Sequence, residues 1–384
     1  MKFVIQQKIL ERAMSHAMGI IDRKQTVPVL GYVLFDASLE NGLKITATNM
    51  DMTIVDSVSC NIEKPGKYCL PAGLLYDITR KIRTGSDIIF EYVEDSNSIQ
   101  ISTNKSSFSI HFIESDNFPP ISDMNYDVNF VINSQSLKEC IDVAKVAMLQ
   151  DNTRFHLNGI HMHYENDMGI HKLRFVATDL FRIACVSMIS PVEVQNIPSV
   201  IVSKKAISEL LRLIDNSDSE DISVSMSDTK ISFKLKDEDF YTEFSSRLVN
   251  GNFPEYKGAL NVSNDKILIV NTEDFISGID RVITVVVDST NSVKLDINKD
   301  KLTLSGISRE FGSAEEKIDA SFNFDDPFEI CFNGRYLLEV LSQIKTPQVK
   351  LLFAESNSST IIEPSENSDQ EMIFAVMPIE IVKN

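Results

Sequence analysis

Four histidines crowd the middle of the chain, His156, His161, His163 and His171, with Asp179 following. In Ile160-His161-Met162-His163-Tyr164 the imidazoles alternate, so an extended strand sets His161 and His163 on one face, within reach of one ion. Metal-dependent hydrolysis carried by His161, His163 and His171, with Asp179 nearby, is the one enzymatic reading these residues offer. It needs three well-spaced ligands and an open coordination position. No Cys or carboxylate joins the histidines at ligand spacing, and no His-Glu-x-x-His occurs. A phosphate-cradling Gly-x-x-x-x-Gly-Lys-Ser/Thr and a Gly-x-Ser-x-Gly elbow are also missing, so ATP hydrolysis falls to a partner. The sequence therefore predicts no catalytic residue, no metal and no cofactor.

Charge points elsewhere. The chain carries 37 basic and 55 acidic residues, net −18, which argues against nucleic acid until the distribution is considered. Segments 6–24, 72–84, 133–149, 203–214, 271–288 and 334–345 read as helices and hold 15 basic against 11 acidic residues. The rest holds 22 against 44, so the helices are the basic part of an acidic molecule. Five cysteines, Cys60, Cys69, Cys140, Cys185 and Cys331, stand singly without Cys-x-x-Cys, which suits a reducing compartment. Without a signal-like stretch or an apolar run of 18 residues, a soluble cytoplasmic protein is expected.

Those basic segments belong to a phrase written three times. Phe3-Val4-Ile5 leads into Leu10, Met14 and Ala17; Phe130-Val131-Ile132 leads into Leu137, Ile141 and Ala144; Leu268-Ile269-Val270 leads into Phe275, Ile279 and Val282. A second helical phrase recurs from Leu74 to Ile82, from Ile207 to Ile214 and from Tyr336 to Ile344, and each copy closes on Phe118-Pro119, Phe253-Pro254 or Met377-Pro378. Three domains follow, 1–126, 127–262 and 263–384, each able to bury its own core. Triplication multiplies a surface and not an active site, so an architectural role is favoured.

Within a copy, strand, helix, strands, helix, strands is the expected order. Ile9, Leu10, Ala13, Met14, Ala17 and Ile20 keep the 3.6-residue period of a helix over 7–20, with Gln7, Lys8, Glu11, Arg12 and Ser15 on the other side. Alternation marks strands at 42–48, 88–93, 98–102, 222–226, 230–235, 302–307 and 349–353, and the polar tract Asn357–Asp369 reads as a loose hairpin. The fold class is α+β, two helices on antiparallel sheet in each domain. Sheet edges left at the ends of such an array are removed if two chains join head to tail into a six-domain ring, with basic helices turned inward.

Five stretches carry a resemblance along the whole length: Thr26-Val27-Pro28-Val29-Leu30-Gly31; Arg154-Phe155-His156-Leu157-Asn158-Gly159; Val176-Ala177-Thr178-Asp179 with Arg182; Leu248 to Tyr256; and Val376-Met377-Pro378-Ile379. In these the chain resembles the bacterial DNA polymerase III beta subunits, the sliding clamps. The resemblance implies a homodimeric ring around duplex DNA, sequence-independent, that tethers the replicative polymerase and receives peptide motifs of clamp loader and repair proteins. Tethering is a matter of effective concentration, since a polymerase that lets go stays beside its template.

It also implies site residues. Lys24, Arg80, Gln150, Phe155, His156, Lys204 and Lys205 match the DNA-facing positions, with Arg12, Lys81 and Arg83 beside them. The peptide pocket maps to Arg154, Leu157, Thr178, Asp179, Leu180, Phe181, Arg182, Ile183, Pro254, Ala259, Ser359, Ala375, Val376, Met377, Pro378 and Ile379. Phe108, Ile283 and Val285 match the dimer contact, where Lys105 is expected to face Glu315 and Glu316. Leu180-Phe181 replaces the Gly-His often found in the family, Gly258-Ala259 replaces a basic residue and Val, and Glu380 stands where Arg is usual. The pocket rim is accordingly larger and more apolar.

Overall fold

β-branched and aromatic residues alternating with polar ones dominate the chain between its helices, and they form antiparallel ladders throughout. The structure, a computed structural model, is described for residues 1–22, 24, 27–94, 96–121, 125–150, 152–190, 197–261, 263–286, 290–366 and 370–380. Thr26, Asp123 and the tail Ile381-Val382-Lys383-Asn384 lie outside the described residues. The helices are α1 (Gln7–Ile20), α2 (Ala72–Lys81), α3 (Ser134–Lys145), α4 (Lys204–Asp215), the single turn α5 (Lys257–Leu260), α6 (Thr272–Ile283) and α7 (Gly334–Leu341).

The chain forms two compact units, 1–135 with 205–248 and 136–204 with 249–384. The second repeat is thus shared between them. The first unit holds a five-stranded sheet in the order Asn61–Lys64, Lys2–Gln6, Asp87–Val93, Ser98–Ser102, Ser107–His111. It also holds a nine-stranded sheet in which the first repeat's Met52–Val58 pairs with the second repeat's Phe240–Arg247, Ile54 opposite Phe244. In the second unit a twelve-stranded sheet runs from Val200–Ser203 to Phe328–Asn333. There the second repeat's Arg182–Ile189 pairs with the third repeat's Glu371–Val376, Arg182 opposite Val376. Sheets continue across repeats because main-chain bonding does not distinguish one copy's edge strand from the next.

Packing follows the helical stripes. α1 buries Leu10, Ala13, Met14, Ala17 and Ile20, about 2 kcal/mol for each large side chain removed from water. Phe3, Phe35 and Phe90 stack beneath it, the Phe3 and Phe90 centroids 4.7 Å apart. Gln7, expected on the solvent side, is buried instead. Its Nε2 donates to the carbonyl of Thr79 at 3.0 Å and so ties α1 to α2. His16 is likewise buried on α1, its Nδ1 3.1 Å from Asp56, and Thr242 of the second repeat donates to the same carboxylate. Gly19 allows α1 to approach α4, because a Cβ there would stand 2.3 Å from a Glu209 carboxylate oxygen.

The polar tract expected as a loose hairpin contains a regular strand. Thr360–Pro364 pairs on one side with Gln348–Phe353 and on the other with Glu371–Val376. Its Ile361 and Ile362 are buried, and that short apolar pair among Ser, Asn and Glu was the signal for it.

Candidate nucleic-acid face and peptide groove

In the first unit three exposed cations, Arg80, Lys81 and Arg83, stand together at the end of α2. Arg80 and Lys81 occupy its last turn, where the helix dipole favours positive charge, and Arg83 follows. Arg80 lies over the Tyr76 ring at 5.3 Å. Among the described residues no ion pair engages Lys24, Arg80, Lys81 or Arg83; Lys2 and Lys67 on the strands pair with Glu63 and Asp36. Arg12 does not belong with the free cations. It is bonded to Asp237 and sits 4.4 Å over the Phe240 ring, joining the first repeat to the second. Burial tends to raise the Asp237 carboxyl, but hydrogen bonds from Ser217 and Arg12 outweigh it and hold the group below its ordinary value. Lys205, also in this unit, is held by Asp22.

In the second unit Gln150 accepts from the Lys204 ammonium. Phe155 is exposed and meets His156 edge to face at 5.9 Å, on the short turn Asn152–Leu157 that kinks at Arg154. These side chains offer hydrogen bonds and a flat apolar face.

The peptide-pocket residues all fall within the second unit. Their centre is a tight turn. Thr178 Oγ1 donates to the Arg182 carbonyl at 2.8 Å and accepts from the Leu180 N–H at 3.0 Å. Asp179 Oδ1 accepts from the N–H groups of Phe181 and Arg182, both at 3.0 Å. Leu180 is thereby held at φ +76°. Arg182 is only 7% exposed, its Nε on Asp179 at 3.0 Å, its Nη2 on Glu339 at 2.6 Å, and its plane 4.3 Å over Tyr336. Phe181 stacks on the same Tyr336 with centroids 6.4 Å apart.

This turn has a copy in the first repeat that sequence reading missed. Thr48 Oγ1 donates to Met52, Asn49 takes the part of Asp179, and Met50 also has φ +76°. The signal was Ala47-Thr48-Asn49 against Ala177-Thr178-Asp179. Only the second repeat places a guanidinium, Arg182, where the first has Met52.

Around the turn the candidates sort by depth. Leu157, Thr178, Asp179, Ala375 and Val376 are buried with Arg182. Ile183, Pro254, Ala259, Ser359, Pro378 and Ile379 are half-buried, and Arg154 is exposed. Leu180, Phe181 and Met377 are 48%, 60% and 43% exposed, an apolar rim above a buried charge. The Met377 N–H donates to the Phe181 carbonyl at 2.8 Å, so chain end and turn are one construction. Two residues on, the Ile379 N–H reaches Cys331 at 2.7 Å. Below lies a core of Val176, Cys185 and Tyr256, with Ile183, Phe253 and Leu260 packed against it.

The histidines do not converge. His161 and His163 face one side of the sheet, rings stacked at 4.6 Å, and Phe253 stacks on His161 at 4.6 Å. His171 sits opposite Asn166 on the other side and bonds the Tyr164 hydroxyl. His163 Nε2 meets the Tyr256 hydroxyl and His161 Nε2 the Ser199 hydroxyl. Burial pushes both imidazoles down to about 4, where they are neutral core rings. Asp179 is committed to Arg182. Among the described residues no group of three His, Cys, Asp or Glu is placed to hold a metal ion, so the hydrolase reading has no support.

Among the strand edges of the described residues, two carry the residues matched to the dimer contact. In the first unit Ser107–His111 is the last strand of its sheet, with half-buried Phe108 opposite Ile101 and exposed Lys105 in the preceding turn. In the second unit Gly312–Phe322 pairs with Lys266–Asn271 only through Ala320, Ser321 and Phe322, which leaves 312–319 unpaired on that side. Glu315 and Glu316 stand there but point to opposite faces, Glu315 toward Lys317 at 3.0 Å and Glu316 toward Arg281 at 2.8 Å. Ile283 ends α6, and Val285 follows in the next turn.

Comparison with known proteins agrees along the whole chain. Family models described as DNA polymerase III beta subunit N-terminal, central and C-terminal domains match residues 1–122, 131–255 and 259–379. The beta sliding clamp of Caulobacter vibrioides is 32% identical over 381 residues, covering 99% of this chain and 100% of that one. That of Pseudomonas aeruginosa is 28% identical, with the same coverage. A DnaN sliding clamp from Bartonella birtlesii, solved bound to griselimycin, superposes with a TM-score of 0.92 at 33% identity, over 99% of this chain and 100% of that one. A Caulobacter crescentus beta sliding clamp gives 0.93 at 31% identity, over 99% of each chain. With three domain models in order and relatives matched end to end, the chain belongs to the DNA polymerase III beta subunit family, the beta sliding clamps.

Proposed function

We propose that this protein is a sliding clamp that closes head to tail with a second copy around duplex DNA and tethers the replicative polymerase. The observation that carries it is the end-to-end match to sliding clamps in sequence and in fold. The open edges at Ser107–His111 and at 312–319 support the closure, since an exposed edge is completed by another strand. We take the three domains as 1–126, 127–262 and 263–384, in keeping with the repeats. The unpaired cations around Arg80 meet phosphates and carry no sequence information, as a protein that must slide requires.

The protein is a processivity factor and not a catalyst, and it works in the cytoplasm; no described helix is long and apolar enough to cross a membrane. Short peptide motifs of polymerase, clamp loader and repair proteins dock at the Thr178–Arg182 turn, with Leu180, Phe181 and Met377 as the apolar rim. The encirclement is tested on nicked circular DNA. After loading by a clamp loader the protein stays on the circle through gel filtration and leaves once the circle is cut. Retention that ignores linearisation overturns it.

A further inference from the structure

Lysines at the start of a helix stand at its unfavourable end, because the N-terminal dipole is positive. α4 nevertheless opens with Lys204-Lys205 and has no acid in its first turn, whereas α6 opens with Glu273 and Asp274 as the dipole asks. Such an end attracts an anion. In the first unit that anion is the protein's own: the Asp22 carboxylate, two residues beyond α1, binds the Lys205 ammonium. Asn49 Nδ2 approaches the other carboxylate oxygen at 3.5 Å. Lys205 and Asp22 are both about half exposed, so solvent and an incoming phosphate reach the pair.

We propose that Asp22 is a built-in competitor for the DNA phosphate that Lys205 meets, and that it shortens each contact so the ring is not held at any one phosphate. The proposal rests on the reading of these helices as the DNA face. A free lysine that binds phosphate releases a condensed counterion, which gives tight, salt-sensitive binding. A lysine that must first leave a carboxylate exchanges one ion pair for another, and the carboxylate takes up counterions of its own. Net gain and salt dependence both shrink. Asp22 is on this account a positioning residue acting through Lys205.

The test is duplex binding by the purified full-length protein, read by fluorescence anisotropy over a salt series. Asp22→Asn binds about 2- to 5-fold tighter at low salt, the range of an exposed ion pair, and its log-affinity against log-salt slope steepens by up to about one. Asp22→Glu behaves as wild type, and Asp22→Asn with Lys205→Gln loses the gain. An Asp22→Asn protein with wild-type affinity and slope, or a gain that survives Lys205→Gln, overturns the role of Asp22. Arg80→Gln reads the interface separately. If it weakens binding while Asp22→Asn is silent, Asp22 alone is refuted; if neither variant changes binding, the DNA-face reading itself is refuted.

Discussion

The His161–His163 pair shows how one residue type takes opposite roles by burial. Exposed and joined by a third ligand, the two would bind a metal; stacked against Phe253 they are apolar filling with hydrogen-bonding tips. The consequence is acid sensitivity. In the fold both rings titrate near 4, and in the unfolded chain near the ordinary 6.5, so protons favour the unfolded state. The stability owed to the neutral pair is complete above about pH 6.5 and disappears as pH falls toward 4. At ~1.4 kcal/mol per pH unit the loss approaches about 3 kcal/mol for each ring. Urea midpoints measured from pH 7.5 to 4.5 should fall more steeply for wild type than for His161→Phe, which keeps the stack without the titration. Parallel curves would refute the assignment. Nothing in Ile160-His161-Met162-His163-Tyr164 distinguished ligand from core, because which sheet face is covered is a tertiary fact.

At the scale of elements, the Thr178–Arg182 turn and the strand Glu371–Val376 act together although nearly 200 residues separate them in sequence. The turn is local and legible, since Thr and Asp side chains bond the backbone that follows them. Its union with the chain end through Met377 and Phe181 is not. Met377→Ala with Pro378→Ala strips that end of its apolar rim and its fixed φ without touching the ladder. Polymerase stimulation should drop at least tenfold, while sedimentation and melting temperature stay near wild type. Full stimulation by the double variant would remove the groove from this turn. Gln7 taught a related lesson, for period alone put it outside whereas its bond to Thr79 holds it between α1 and α2.

For the whole molecule, the repeats in sequence and the compact units in space have different boundaries, because the second repeat gives strands to both long sheets. Within each unit, copies are therefore joined by main-chain ladders and not by linkers alone. Among the edges of the described residues are the strand Ser107–His111 and the stretch 312–319. Phe108 is half-buried at the former, and a carboxylate there would have to be desolvated in any closed dimer. Phe108→Glu should shift the sedimentation profile at micromolar concentration from dimer to monomer and abolish retention on circular DNA. A variant that remains dimeric would place the contact elsewhere.

By itself the sequence determined the threefold repeat, the α+β class, the helices with their buried stripes and the family. Each of these depends on short-range periodicity or on a motif of a few residues, and both survive in one dimension. Tertiary structure decided which cations are free and which are spent, as with Arg80 against Arg12, and which face of the histidine strand is covered. It also decided that sheets run through the repeat boundaries. Pairing, burial and charge neutralisation depend on residues distant in the chain, and no local pattern records which of them will meet.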